Sequence, residues 1–381
     1  MSVIRAAARV LGVDVGGAHI KLADASGRST ACPFAMWLEA DRLADRVREL
    51  SRLFCSEHNQ SYTHLAVTMT GEMADCFATR RIGVEFILRR LTEAMPELKL
   101  QVYGVDGTWL AASEACRHPW DVAASNWHAL GSWVAGCVAC ADENLCLVLD
   151  IGSTTVDVIP ISRGRVATAA RTDSDRLRLQ QLVYTGVGRT SAAAILSAAT
   201  IDGQHWPLVA ERFATSDDAY LALGLAAEVS DAAASLGHSA DGCWRIATDD
   251  PPGQPAFDTA DGRPRTVAHA RARLARMLAE DCERLTGGEI ETLARQLIDK
   301  QASQVACAIA ANLPVQSSDN RQPLIALSGH GAALARAALQ QLPQVVDYID
   351  LAERISPAAA RCAPAVAVAW LLQEQLTLVH K

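Results

Sequence analysis

Residues 10–17 read Val-Leu-Gly-Val-Asp14-Val-Gly16-Gly17, and residues 146–155 read Cys-Leu-Val-Leu-Asp150-Ile-Gly152-Ser153-Thr154-Thr155. Each is an apolar run that ends in Asp-x-Gly and passes into small or hydroxylated residues. Glycines at that point allow a tight turn and leave backbone N–H groups open to an anion. An aspartate at the strand end can hold a cation, or its water shell, beside that anion. One copy is a common turn; two copies imply two similar halves that face a shared phosphate site. Gly16, Gly17, Gly152, Ser153, Thr154 and Thr155 are therefore candidate phosphate contacts. Asp14 and Asp150 are candidate catalytic carboxylates and ligands to Mg²⁺.

Three further residues suit the same anion. Lys21 lies on the second arm of the first hairpin, and Arg189 follows Gly186-Val187-Gly188. Gly329 sits in Ser328-Gly329-His330-Gly331, a glycine turn after an apolar run. Each candidate also has an ordinary reading. Aspartate favours turns. Thr154 and Thr155 are β-branched residues suited to a strand. Lys21 is equally a solvated strand lysine, and Arg189 equally a surface ion pair.

These residues need rigid elements to carry them. Apolar runs bounded by glycine at Val10–Val15, Leu65–Met69, Leu100–Val105 and Pro323–Leu327 read as buried strands, and Val345–Leu351 as a further strand. His19–Asp24 returns along the first strand as a hairpin; Leu145–Ile161 is a second hairpin that turns after Asp150, and Val166 restarts a short strand. Helical spacing covers Glu39–Glu57, Val84–Leu98, residues 266–285, 289–312 and 332–342, and Ala363–Leu378. Residues 108–140 read as helix plus loop, and the Pro/Gly/Asp-rich stretch at 249–262 as a loop. Strands alternating with helices specify a layered α/β fold with a mostly parallel sheet.

The chain has 381 residues, half of them hydrophobic, which is long for one core and ample for two. The division expected is a first lobe of residues 1–145, joined by the C-terminal helix 363–381, and a second lobe of residues 146–362 with a substrate region inserted at about 172–262. A net charge of −8 argues against nucleic-acid binding, which needs basic surface. The apolar stretch Ala363–Leu372 is too short to cross a bilayer. Eleven cysteines are scattered; Cys137, Cys146 and Cys307 read as small buried hydrophobes, and Cys137-x-x-Cys140 has metal or redox spacing with no second pair to complete a zinc set. Free thiols and a first motif beginning by residue 10 place the protein in the cytoplasm. The tryptophans read as mostly core, with one available as a substrate wall.

The ordered triple of Asp14-x-Gly16-Gly17, Asp150-x-Gly152-Ser-Thr-Thr and Ser328-Gly329-His330-Gly331 resembles the actin/sugar-kinase/Hsp70 superfamily. That resemblance implies two RNase H-like lobes with a central cleft. Asp-Ile-Gly-Ser-Thr-Thr-x-Asp157 is similar to the second hairpin of the hydantoinase/oxoprolinase branch. Longer motifs narrow it: Asp14-Val-Gly-Gly-Ala-His19-Ile-Lys21, Thr68-Met-Thr70-Gly-Glu72-Met-Ala-Asp75, Ala-Ala-Ser-Asn126-Trp-His128, Asp173-Ser-Asp-Arg176, Tyr184-Thr-Gly-Val-Gly-Arg189-Thr190, Ala-Asp261-Gly-Arg and Arg273-Leu-Ala-Arg-Met277. They resemble a group tied to tetrahydromethanopterin-linked one-carbon metabolism, whose archaeal relatives build methanofuran.

The resemblance implies transfer of an (aminomethylfuranyl)methyl group from its diphosphate to the phenol oxygen of a tyramine or tyrosine derivative, with release of pyrophosphate. The turns and Mg²⁺ would hold the departing charge. A phenol titrates near pH 10 and needs a general base; Glu72, Asp106 and His128 are the candidates, with a satisfied core histidine as the plain alternative for His128. The partners expected are thus a small-molecule diphosphate and a phenolic acceptor, with no nucleic acid, no membrane, and a homodimer through the alanine-rich helices. ATP is the ligand of a second reading, a small-molecule kinase or hydantoinase-type hydrolase subunit. A third reading is an actin-like scaffold.

Overall fold

The first apolar run becomes β1 (Val10–Val15), buried along its whole length. A strand covered on both faces shows a continuous apolar run rather than an alternation. With β2 (His19–Asp24), β3 (Ser29–Pro33), β4 (His64–Met69), β5 (Lys99–Tyr103) and β6 (Trp109–Ala111) it forms a sheet in the order β3-β2-β1-β4-β5-β6. β1 runs antiparallel to β2 and parallel to β4, and β4 runs parallel to β5. The helices Leu43–His58 and Arg80–Ala94 make the two parallel crossovers. The structure is a computed structural model and describes residues 9–137, 145–228, 259–314 and 322–378.

Helix Ala363–Leu378 packs on β1 at an unusually short approach. A Cβ added to Gly12 would overlap the carbonyl oxygen of Ala365 and touch Ala369. Ala365, Ala367 and Ala369 are buried, so small side chains on both partners set the spacing. This is why the helix is apolar nearly all round: such a helix belongs in a core. Sheet, crossover helices and this last helix lie in one compact unit, composed of Met1–Val148, Ile159–Leu179 and Ile349–Lys381.

The second unit comprises Leu149–Val158 and Gln180–Tyr348. The second hairpin is β7 (Leu145–Ile151) and β8 (Val156–Ser162), and β9 (Arg165–Val166) pairs with β8. A short β10 (Leu182–Val183) also pairs with β8, and β11 (Ala198–Ile201) forms a separate hairpin with β12 (Gln204–Pro207). Adding β13 (Leu324–Gly329) and β14 (Asp347–Asp350) gives the sheet order β10-β8-β7-β13-β14. Helix Gly287–Asn312 opens on a capping box in which Thr286 accepts from the Glu289 amide and Glu289 answers the Thr286 amide.

Several boundaries differ from the sequence reading. The helix expected over Val84–Leu98 spans Arg80–Ala94, because Thr79 caps its start by accepting from the Ile82 amide, and Pro96 follows its end. The helix expected over 266–285 stops at Arg276, shortly before Ala279 adopts a left-handed conformation at φ 57°. Leu351, expected to close a strand, starts a helical turn capped by Asp350. Cys137 and Cys307 are exposed, not buried, whereas Cys146 is buried as expected. Trp127 and Trp133 lie in the core, but Trp37 and Trp120 are exposed. Cys140 and most of the 249–262 stretch lie outside the described residues.

Candidate functional site

The two Asp-x-Gly turns close in the same way. The Gly16 amide donates to the His19 carbonyl at 2.9 Å, and the Gly152 amide donates to the Thr155 carbonyl at 2.9 Å. Each is thus a four-residue hairpin with a glycine at its first corner. A Cβ on Gly17 would meet nothing, and one on Gly152 only the Thr155 carbonyl, at 3.5 Å, so backbone is open at both turns.

In the first unit the register of β1 sets Asp14 opposite Lys21 on β2 and Thr68 on β4. The Asp14 carboxylate is buried, with Lys21 Nζ at 3.5 Å. The strand β4 then delivers Thr70, whose amide donates to Val15, and Gly71, where a Cβ would come within 2.9 Å of the Gly16 carbonyl. Glu72 follows. Its side chain is 1% exposed, and among the described residues no other donates a hydrogen bond to either carboxyl oxygen. Among the described residues the cation beside it is Arg80, with Nε at 3.7 Å. Burial pushes the Glu72 carboxyl up to about 7 against the pull of Arg80, and the charges of Asp173 and Asp14 add to the rise.

The charges continue outward from Glu72 within the same unit. Arg80 binds Asp173 at 2.9 Å, Arg176 lies 3.8 Å from Asp173, and the Arg176 guanidinium stacks 4.4 Å from the Trp127 ring centre. Helix Arg80–Ala94 approaches the Glu72 backbone so closely that a Cβ on Gly83 would overlap it. That contact is what sets Arg80, the first helical residue, beside Glu72.

His128 and Asp106 form a separate group. Tyr103 Oη lies 3.0 Å from His128 Nδ1, and Ser132 Oγ lies 3.4 Å from it. Burial, reinforced by the Arg171 charge, lowers the imidazole to about 4, so it is neutral at physiological pH. Asp106 receives the Thr108 amide and hydroxyl at 3.0 and 2.6 Å; these bonds outweigh burial and hold it below the usual carboxylate range.

In the second unit three segments meet around the second turn. The amides of Val187, Gly188 and Arg189 donate to the carbonyls of Gly152 and Ser153 at 2.8–3.2 Å. A Cβ on Gly186 would sit 2.5 Å from Ser153 and Thr154 backbone. Gly329 has φ +84°, and a Cβ added there would overlap the Ile151 carbonyl and come within 2.9 Å of the Asp150 carboxylate. Gln301, fully buried on helix Gly287–Asn312, donates to Thr185 Oγ1 and the Gly186 carbonyl at 2.7 and 2.9 Å and so anchors the loop that carries Arg189.

Among the described residues no group of three or more His, Cys, Asp or Glu side chains stands ready to hold a metal by itself. Asp14 and Asp150 each bring one carboxylate to a turn with open backbone, which suits Mg²⁺ completed by phosphate oxygens and water. No described helix is long and apolar enough to cross a membrane.

Residues 64–238 match the sequence model of the hydantoinase/oxoprolinase family. Over that segment the chain is similar to the hydantoinase/oxoprolinase family. It is 29% identical over 370 residues to the (4-{4-[2-(gamma-L-glutamylamino)ethyl]phenoxymethyl}furan-2-yl)methanamine synthase of Methanocaldococcus jannaschii, covering 96% of this chain and 98% of the relative. It is 25% identical over 241 residues to the synthase of the same name from Methanococcus vannielii, covering 62% of this chain and 93% of that one. Among solved structures, the nucleotide-free acetone carboxylase from a study of ATP-dependent acetone carboxylation superposes with a TM-score of 0.51 at 11% identity, over 95% of this chain and 70% of that one. The fold is of the actin/sugar-kinase/Hsp70 type.

The first unit groups Asp14, Gly16, Gly17, Lys21 and Glu72, and the second groups Asp150, Gly152, Ser153, Thr154, Thr155, Arg189 and Gly329. His128 stands with Tyr103 instead. The sequence reading assigns no role to Arg80 or Gln301. Thr79 was the available signal for Arg80, since a capping threonine puts the next residue at a helix start. Asp173 and Arg176 stood in a quoted motif without a role.

Proposed function

We propose that this protein is a pyrophosphate-releasing ether synthase of methanofuran-type cofactor assembly. It transfers an (aminomethylfuranyl)methyl group from its diphosphate to the phenol oxygen of a tyramine or tyrosine derivative. The observation that carries the reading is the end-to-end match to a synthase whose named product joins a phenol oxygen to a furan methylene. The site chemistry supports it.

In the reaction the phenol O–H bond breaks, the oxygen attacks the furfuryl carbon, and the carbon–oxygen bond to diphosphate breaks, so the electron pair leaves with pyrophosphate. In the first unit the backbone N–H groups of the Gly16–Gly17 turn and the Lys21 ammonium suit that growing charge, and in the second the Gly152–Ser153 turn and Arg189 offer the same chemistry. Asp14 in the first unit and Asp150 in the second are the carboxylates that would hold Mg²⁺, which would supply neutralisation of phosphate oxygens. Glu72 takes the phenol proton. A carboxylate poised near neutrality both accepts a proton and releases it again at working pH. Aspartates held low, as Asp106 is, are weaker bases, and His128 is already engaged by Tyr103.

Enzyme, Mg²⁺, furfuryl diphosphate and tyramine or γ-glutamyltyramine should yield the ether and pyrophosphate by mass spectrometry. No ether with any phenol acceptor would overturn the reading. Glu72→Gln should lower kcat by about 10²–10³-fold. It should also erase an acid limb in the rate profile, because the base form of Glu72 is lost as pH falls through about 7. An unchanged limb would remove Glu72 from the proton step.

A further inference from the structure

Trp120 is 55% exposed in the short helix Pro119–Val122. A lone exposed aromatic is ordinary; what is unusual is its support. The Arg80 guanidinium lies 5.4 Å from the ring centre and is only 10% exposed. It is fixed from behind by Asp173 at 2.9 Å and Glu72 at 3.7 Å. Holding an arginine in so little water is costly unless its hydrogen bonds and charges are met, and two carboxylates meet them here. The segment that carries Trp120 is itself tied down, since the Val105 amide donates to Asp121 and the Asp121 amide to His118. The result is a rigid indole face open to solvent, backed by a cation that is one contact from Glu72. Glu72 in turn follows Gly71, which abuts the first glycine turn.

We infer that Trp120 and Arg80 form the acceptor subsite: the phenol ring stacks on the open face of Trp120, and the fixed positive charge of Arg80 behind the indole favours the phenolate form as the proton leaves. The inference rests on the reaction proposed above and adds what recognises the acceptor. An aromatic platform selects a planar ring, and a fixed guanidinium favours the anionic form of a hydroxyl on it. The subsite therefore takes aromatic acceptors with an ionisable hydroxyl and rejects aliphatic alcohols of similar length. The proton passes from the phenol oxygen to the Glu72 carboxylate, and Arg80, already paired, takes on no new covalent bond.

The test uses the full chain with furfuryl diphosphate and a phenol acceptor. Trp120 is exposed, so Trp120→Ala should fold, as checked by circular dichroism. It should raise the acceptor KM about tenfold, leave the donor KM within twofold, and be largely restored by Trp120→Phe. Arg80→Lys should lower kcat, and a more acidic nitrophenol acceptor should recover most of that loss, because a phenol that ionises easily needs less help. A purely structural arginine would show no such dependence on the acceptor's acidity. Wild-type acceptor KM in Trp120→Ala, or an Arg80→Lys deficit equal for both acceptors, would overturn the inference while wild-type ether formation keeps the proposed reaction standing. No ether from the wild type would end both.

Discussion

Glu72 is the residue at which burial and chemistry pull in opposite directions. A carboxylate sealed from water is a cost to the fold unless it is paired, and among the described residues the cation beside it is Arg80 at 3.7 Å. The folded protein therefore holds this proton more tightly than the unfolded chain does, about 7 against 4.5. A raised acid pKa has a definite sign in stability: its contribution is complete below the unfolded value and is lost as pH rises through the folded one. The window is thus pH 4.5 to 7, and the loss is on the order of 3 kcal/mol. Glu72→Gln cannot ionise, so its unfolding midpoint relative to wild type should climb across that window and then level off. Parallel curves for the two proteins from pH 5 to 8 would mean that the carboxyl is ionised throughout.

At the scale of elements, the glycines divide into those that space packing and those that open backbone. Gly12 belongs to the first class, because the carbonyl of Ala365 occupies the place of its missing side chain. Backbone cannot rotate away as a side-chain tip does, so Gly12→Ala must push helix Ala363–Leu378 off β1. Overpacking of this kind costs about 1–3 kcal/mol, read as a lower urea midpoint with unchanged slope. Gly17 belongs to the second class, with open space where a Cβ would be. Gly17→Ala should stay within about 0.5 kcal/mol of wild type yet weaken pyrophosphate binding. If both substitutions destabilise alike, the division fails. The sequence displayed the two glycine turns because they are local and repeated. It did not display Gly12 as a spacer, because its partner lies at the far end of the chain.

The same contrast holds for the molecule as a whole. Element order and the α/β class were legible, since each apolar run records its own burial; helix ends such as Thr79 and Ala279 were less so, since caps act over two or three residues. The set Glu72, Arg80, Trp120, Asp173 was not legible as a set, because packing across separate segments of the first unit assembles it and no periodicity marks it. What remains to separate is a diphosphate-using transferase from a nucleotide-using relative of the same fold. A ligand that binds only folded protein stabilises it by mass action, about 2.7 kcal/mol at a hundredfold excess over Kd. Mg²⁺ with pyrophosphate should therefore raise the Tm by a few degrees, and Asp14→Asn and Asp150→Asn should each shrink that shift. The Arg189 loop, pinned to Ser153 and anchored by Gln301, should lose part of it in Arg189→Ala. Mg-ATP should do less than Mg-pyrophosphate. Stabilisation by Mg-ATP alone would assign the glycine turns to a nucleotide and make the chain a phosphotransferase or ATP-driven hydrolase subunit.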